Sequence, residues 1–343
     1  MNLLRKLLFP VVPIYWLVTW VRNKLYDWGI KKSVTYHLPI IAVGNLSVGG
    51  TGKTPMVEYL INLLSSSFKL ATLSRGYGRN TKGFVLASTT STTHTIGDEP
   101  MQFYTKHEEV QVAVDENRRR GITHLLALKN KPEVILLDDA YQHRKVKAGF
   151  YILLTSYDQL YCNDYVLPTG NLREPRSGAN RADLVIVTKC PPNLLDQEKQ
   201  RIEKALQLTT KQQLFFATIA YTSALQSGTL QKPLSFFKDT PFTLITGIAN
   251  PKPLVAYYEH LGLKFTHINY PDHHNFSTKE IEKLKDAGTL VTTEKDYMRL
   301  SDHFSEGDLW YQSIAMQFMG EYSGRLFDEQ ILNVVKKEGS YVS

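Results

Sequence analysis

Residues 37–190 alternate between short apolar runs and polar, glycine-rich turns. The runs at 37–43, 70–74, 110–114, 133–139, 151–155 and 184–189 are almost wholly apolar, which predicts buried strands. Helical patterns near 57–66, 99–106 and 116–129 lie between several of them, and Met56, Val57, Leu60, Leu63 and Leu64 share one side of the first. Alternating strands and helices predict right-handed crossovers and a doubly wound, mostly parallel α/β sheet. Cys190-Pro191-Pro192 breaks the pattern, and a helix follows near 196–207. A second set then begins, with strands expected at 242–246, 267–270 and 290–293 and helices at 252–260 and 278–285. The expected division is an N-terminal segment (1–36), a nucleotide-binding core (37–210) and a smaller α/β lobe (211–343).

Charge changes the reading of the N-terminal segment. Of the net charge of +7, five units sit on residues 1–36, where Arg5, Lys6, Arg22, Lys24, Lys31 and Lys32 face Asp27 alone. Residues 7–21 carry no charge and include Phe9, Tyr15, Trp16 and Trp20. As a helix this stretch spans about 22 Å, short of a hydrocarbon core of about 30 Å. Pro10 and Pro13 are expected to interrupt its backbone ladder. No small-residue cleavage site follows Val21, so a secretory signal is not expected. An amphipathic segment lying in one leaflet fits best, with a helix packed on the protein's own core as the alternative. The two cysteines, Cys162 and Cys190, exclude a disulfide framework and a cysteine-rich zinc site, and point to a reducing compartment.

The first strand runs into Ser47-Val48-Gly49-Gly50-Thr51-Gly52-Lys53-Thr54 and then a helix, the setting of a phosphate-binding P-loop. Glycines let backbone N–H groups converge on phosphate oxygens, and the helix N-terminus adds positive charge. Lys53 would reach the β- and γ-phosphates of ATP and the Thr54 hydroxyl would meet Mg²⁺. Ser47 stands where the usual pattern has glycine. The fuller Gly-Gly-Thr-Gly-Lys-Thr string nevertheless arises by chance in only on the order of one in a thousand chains of this length. About 85 residues after Lys53, a strand ends in Asp138 and Asp139, the form of a Walker B strand whose acids meet Mg²⁺.

Further candidates lie on loops at the carboxyl edge of the sheet, where such folds bind ligands. Arg75, Tyr77 and Arg79 follow one strand, and a solvated basic loop is the alternative reading. Gly97-Asp98-Glu99-Pro100 opens a helix, so Asp98 is either a helix N-cap or a catalytic base. Arg118 opens a helix after a strand, and Gln142, His143, Asn171, Arg173 and Glu174 sit on comparable loops. In the second lobe Asp272-His273-His274 and Thr292-Thr293-Glu294-Lys295-Asp296 stand out, without the spacing of a zinc site.

Taken together, these motifs resemble the lipid A 4′-kinase, or tetraacyldisaccharide 4′-kinase, family nearly end to end. Gly44–Pro55, Ser74–Arg79, Gly97–Pro100, Asp138–His143, Leu172–Pro175, Gly247–Pro251, Asp272-His273 and Thr293–Asp296 carry the resemblance. Ser47 matches the family's own P-loop, while Ala140 departs from an expected glycine. The resemblance implies transfer of the ATP γ-phosphate to the 4′-hydroxyl of an acylated glucosamine disaccharide 1-phosphate. It implies Asp98 as the base, paired with His273 or, failing that, His274, the two meeting only when the lobes approach. It implies that Asp138 and Asp139, with Glu99 beside them, bind or organise Mg²⁺. Arg75, Tyr77, Arg118, Gln142, Asn171, Arg173 and Glu174 are then expected to contact substrate or nucleotide. The expected setting is the cytoplasmic face of the bacterial inner membrane, as a monomer. The rival is a membrane-associated P-loop ATPase switch; those proteins usually carry a second lysine where Val48 stands here. Nucleic acid is not an expected partner, since the basic charge lies on an apolar, Trp-rich segment rather than a polar stripe.

Overall fold

The structure is a computed structural model that describes Arg5 and residues 8–339. Lys6 and Leu7, counted in the basic and apolar N-terminal stretches, lie outside the described residues. The strands are β1 (Ile40–Asn45), β2 (Leu70–Ser74), β3 (Val85–Leu86), β4 (Gln111–Val114), β5 (Val134–Asp138), β6 (Phe150–Ser156), β7 (Leu184–Thr188), β8 (Gln213–Ser227), β9 (Leu230–Pro233), β10 (Phe242–Thr246), β11 (Phe265–Asn269), β12 (Leu290–Thr293) and β13 (Leu309–Phe318). The helices are α1 (Val12–Asp27), α2 (Lys53–Leu64), α3 (Thr93–Ile96), α4 (Asp98–Lys106), α5 (Arg118–Leu126), α6 (Asp196–Leu206), α7 (Lys252–His260), α8 (Thr278–Lys285), α9 (Glu294–Leu300) and α10 (Glu321–Gly339).

All but β9 lie in the order β11-β10-β12-β13-β8-β7-β6-β1-β5-β2-β4-β3, and β9 pairs with β8. The run from β7 to β4 is parallel, as βαβ crossovers require, with β3 as a short antiparallel edge. Every residue of β1 is buried. Ile41 and Val43 share a core with Met56, Val57 and Leu60 of α2, whereas Ile40 and Ala42 share another with Ile122 and Leu125 of α5. Both faces of the strand are therefore covered, which explains why it reads as a continuous apolar run.

β8 joins the two halves of the sheet. Its first residues pair in parallel with β7, and from Ala217 onward it pairs antiparallel with β13. β13 in turn runs parallel to β12, so the second βα set continues the same sheet. The sequence pattern predicts no strand over 213–227 or 309–318 and no helix over 321–339, and these are the elements that knit the halves together. Phe318 of β13, Phe327 of α10, Phe215 of β8 and Tyr59 of α2 stack edge-on or tilted within one cluster.

The expected interruption by Pro10 and Pro13 is not observed. Pro10 lies in a short 3₁₀ turn, Phe9–Val11, and Pro13 occupies the first turn of α1. A proline there removes an N–H that has no intrahelical acceptor, so it starts the helix instead of breaking it.

Phe327 is fully buried where α10 meets the sheet, while the neighbouring Leu326 is 39% exposed. Phe327→Ala is expected to lower stability by about 3–5 kcal/mol through the cavity it leaves. Leu326→Ala should stay within about 1 kcal/mol. Urea unfolding of the two variants beside wild type checks the difference.

Candidate active site

β1 delivers the chain into residues 46–52, and α2 begins at Lys53. Gly49 and Gly52 adopt φ of +108° and +86°, conformations a side chain resists, and so curl the backbone into a nest of N–H groups. The loop is braced from two sides. Thr188 Oγ1 at the end of β7 donates to Thr51 O at 2.8 Å. On the other side Val48 N donates to Asn171 O at 2.8 Å, Arg173 N donates to Leu46 O at 2.7 Å, and Ser47 bridges to Leu172. Lys53 Nζ lies 3.4 Å from Asn45 Oδ1 and 3.6 Å from Asp139 Oδ1. Gly50 and Thr54 complete the loop and the first turn of α2.

The two acids after the Walker B strand have different partners. Asp138 ends β5 fully buried, and burial with the adjacent Asp139 charge pushes its carboxyl up to about 6. Its Oδ1 has no hydrogen-bond partner. Burial also works to raise Asp139, but Lys53 and Arg173 outweigh it and hold that carboxyl below the usual range. Arg173 Nη1 donates to both Asp139 oxygens at 3.0 Å. Asp139 thus anchors Lys53 and Arg173, leaving Asp138 with an acceptor to spare. Among the described residues no group of three or more His, Cys, Asp or Glu converges as a metal cage. A hydrated Mg²⁺ carried by nucleotide phosphates needs only one or two carboxylates, and the orphaned Asp138 oxygen fits that requirement.

The remaining expected contacts divide sharply. Arg75 is exposed and Tyr77 is 71% exposed, its ring edge-on to His273 at 5.7 Å between centroids. Arg118 is only 3% exposed and donates to Asp115 O at 2.6 Å and Asp138 O at 3.0 Å, which fixes the end of β5. Gln142 Nε2 donates to Asn45 O at 2.8 Å and Glu174 Oε1 at 3.0 Å. Glu174 is buried and also accepts from Arg181 at 2.8 Å. Asn171 Nδ2 donates to Asp164 Oδ2 at 2.9 Å. Gln142, Asn171, Arg173 and Glu174 therefore form one braced wall beside the P-loop.

Asp98 is the first residue of α4, and Gly97 takes the N-cap position at φ +95°. The carboxylate is thus not used as a cap. It reaches across to the second half of the sheet, where Oδ2 lies 2.9 Å from His273 Nδ1. Arg299 on α9 grips the same carboxylate, donating from Nε to Oδ1 at 3.1 Å and from Nη2 to Oδ2. Burial would raise Asp98, but the His273 and Arg299 hydrogen bonds and charges overcome it and hold the carboxyl at about 2. The bond to Asp98 raises His273 in return. His273 itself sits at φ +58°, its N–H on Gly247 O at 3.1 Å. His274 points elsewhere, its Nε2 3.1 Å from Glu280 Oε1 and its ring stacked on Tyr270. Asp98 and His273, expected to meet when the lobes approach, are in contact in this structure, carried there by the shared sheet.

Two basic residues of α9 reach the acids of α4 without having been expected to. Lys295 Nζ pairs with Glu99 Oε1 at 2.5 Å, which lowers Glu99 against its burial. Arg299 Nη1 also donates to Asp296 Oδ1 at 3.1 Å, and Asp296 Oδ2 accepts from Gly247 N at 2.8 Å. Lys295 lies inside the Thr292–Asp296 motif already singled out, and the available signal for Arg299 was its spacing, four positions on along the same helix.

A Cβ at Gly97 would stand 2.8 Å from Tyr77 O, in a backbone conformation unsuited to side chains. Gly97→Ala is expected to cost about 1–3 kcal/mol of stability and to displace Asp98. Chemical denaturation reads the first effect, and the His273 ring resonances by NMR read the second.

Three comparisons bear on this arrangement. The family model for tetraacyldisaccharide-1-P 4′-kinase matches residues 4–336. A tetraacyldisaccharide 4′-kinase from Flavobacterium johnsoniae is 52% identical over 340 residues, covering 98% of this chain and 99% of that one. One from Bacteroides thetaiotaomicron is 46% identical over 319 residues, with 88% and 84% covered. The crystal structure of LpxK from Aquifex aeolicus in complex with ATP matches with a TM-score of 0.79 at 29% identity, covering 97% of this chain and 100% of that one. With a P-loop, a Walker B strand and a cross-sheet Asp–His pair already in place, these matches settle the classification: the chain belongs to the tetraacyldisaccharide 4′-kinase family.

Proposed function

We propose that the chain transfers the γ-phosphoryl group of ATP to the 4′-hydroxyl of an acylated glucosamine disaccharide 1-phosphate, a step of lipid A biosynthesis. The observation that carries the mechanism is Asp98, held by His273 and Arg299, on the helix that also brings Glu99 within range of the Asp138 charge. The P-loop N–H groups and Lys53 hold the β- and γ-phosphates. Thr54 and Asp138 would hold Mg²⁺, with Asp139 and Glu99 around it, and the ion would offset charge on the β- and γ-oxygens. Asp98 orients the sugar hydroxyl and accepts its proton as the oxygen bonds to the γ-phosphorus. The bond from that phosphorus to the bridging oxygen breaks, and ADP leaves. His273 and Arg299 position the carboxylate. Tyr77, edge-on to His273, and the exposed Arg75 face the acceptor side. The core (37–210) holds nucleotide and the smaller lobe (211–343) completes the acceptor side.

α1 supports a place at the membrane. No helix among the described residues is long and apolar enough to cross a bilayer. Leu8, Phe9, Val11, Ile14, Trp16, Leu17, Val18 and Val21 are nevertheless exposed. The opposite side of α1 is bonded to the wall beside the P-loop, through Tyr15 to Arg173 O at 3.0 Å, Arg22 to Gln142 O at 3.0 Å and Asn23 to Glu174 Oε2 at 2.6 Å. We read α1 and its basic flank as lying in the cytoplasmic leaflet of the bacterial inner membrane, with the enzyme acting there as a monomer.

Phosphate transfer from labelled ATP to the acylated disaccharide 1-phosphate in detergent micelles tests the reaction. Wild type should label the lipid, and Asp98→Asn should lower kcat by about a hundredfold or more. ATP hydrolysis without labelled lipid would instead favour a membrane-associated ATPase switch. His273→Ala should lower kcat by at least about tenfold, whereas His274→Ala should stay within about threefold, because only His273 touches Asp98. Ile14→Glu with Val18→Glu should abolish co-sedimentation with anionic vesicles and leave the melting temperature unchanged; vesicle binding equal to wild type would refute the leaflet placement.

A further inference from the structure

Lys189 follows β7 at the same carboxyl edge as the P-loop and has no role in the mechanism above. It adopts φ +57°, a left-handed conformation that a lysine enters only at a cost of about 1 kcal/mol or more. That turn sends its side chain toward the phosphate loop, where Nζ lies 3.9 Å from the position a Cβ would take on Gly50. The preceding residue ties the strand to the loop, with Thr188 Oγ1 on Thr51 O at 2.8 Å. Lys189 remains exposed, and among the described residues no carboxylate lies within ion-pair distance of it. The result is a strained, unpaired cation held over a nest of backbone N–H groups.

The strand order says which part of a nucleotide it meets. β1 carries the P-loop, with β5 on one side and β6, then β7, on the other. Asp138 and Asp139 come from the β5 side, and the γ-phosphate must point there to approach Asp98 and the acceptor. The nucleoside end of ATP then lies toward β6 and β7, where Lys189 stands. We propose that Lys189 is a second nucleotide-binding lysine, contacting the α-phosphate and ribose oxygens that ATP and ADP share. The proposal rests on reading residues 47–54 as the ATP cradle. It supplies from β7 the cation that Val48 does not supply from within the loop.

Isothermal titration of the full-length chain in detergent with ADP and with a non-hydrolysable ATP analogue tests it, using Lys189→Ala, Lys189→Arg and Lys189→Gly. Lys189→Ala should weaken both ligands by about ten- to a hundredfold, the loss expected for a charged hydrogen bond. Lys189→Arg should remain within about threefold. Lys189→Gly relieves the backbone strain while removing the cation, so it should bind as poorly as Lys189→Ala. In steady state, KM for ATP should rise while KM for the lipid and kcat at saturating ATP hold within about twofold. Unchanged affinity in a folded Lys189→Ala variant overturns the proposal, as does wild-type affinity in Lys189→Gly, which would assign the effect to the backbone. Loss of the ATP analogue alone would place Lys189 at the γ-phosphate and overturn the assignment to the nucleoside end. Failure of the wild-type chain to bind either ligand would overturn the ATP cradle itself.

Discussion

Charge pairing across the sheet is the constraint on which the rest depends. The first turn of α4 carries Asp98 and Glu99, and α9, from the other half, answers with Arg299 and Lys295. The last turn of α4 carries Lys106, which pairs with Glu58 on α2 and with Glu294 on α9 at 2.8 Å. Burial lifts Glu294 above the usual carboxylate range against the opposing pull of Lys106. Three helices thus meet over buried charge: the P-loop helix, the Asp98 helix and the second-lobe helix. Taking such groups out of water is costly, and removing one partner leaves the other stranded, so the set favours a single relative placement of the three helices. That placement, rather than any one contact, puts Asp98 near the phosphate loop.

A second linkage runs the other way, from the outer helix inward. α1 is bonded to Arg173, Gln142 and Glu174, and the same stretch of chain supplies Asn171 O to Val48 N and Arg173 to Asp139. The helix with the exposed apolar face is therefore linked to Lys53 through two residues, Arg173 and Asp139. The exposed apolar face of α1 and the phosphate loop share a single wall, so in the proposed leaflet placement the membrane and the nucleotide would have a fixed relation set by ordinary hydrogen bonds.

Sequence patterning captured what is locally encoded. The parallel core strands are apolar because both faces are covered, and the P-loop and Walker B motifs declare their chemistry in adjacent residues. The pattern failed where partners are distant in sequence. β8 is a 15-residue strand that changes neighbour midway, from β7 to β13, and its burial is correspondingly mixed. Arg118 opens a helix at the sheet edge, and what the sequence did not reveal is that its two terminal nitrogens also donate to the backbone carbonyls of Asp115 and Asp138. Arg299 was invisible for the converse reason: nothing within ten residues of it reveals that a carboxylate two hundred positions earlier will arrive there. Gly97 takes the cap position and frees the carboxylate, which sets aside the N-cap reading of Asp98.

Held at about 2, Asp98 is a feeble ground-state base for the role proposed for it. Phosphoryl transfer tolerates this. In a loose transition state the hydroxyl loses its proton late, after the leaving oxygen has taken up much of the charge, so early basicity contributes little. What the reaction needs is a fixed, ionised acceptor that aims the hydroxyl in line with the γ-phosphorus. Two positively disposed partners meet that need better than a raised pKa would: they keep Asp98 ionised across the physiological range and hold both of its oxygens in place. In the proposed mechanism His273, itself raised by the carboxylate, keeps its Nδ1 on Asp98 and so positions the oxygens that meet the proton as the bond to phosphorus forms.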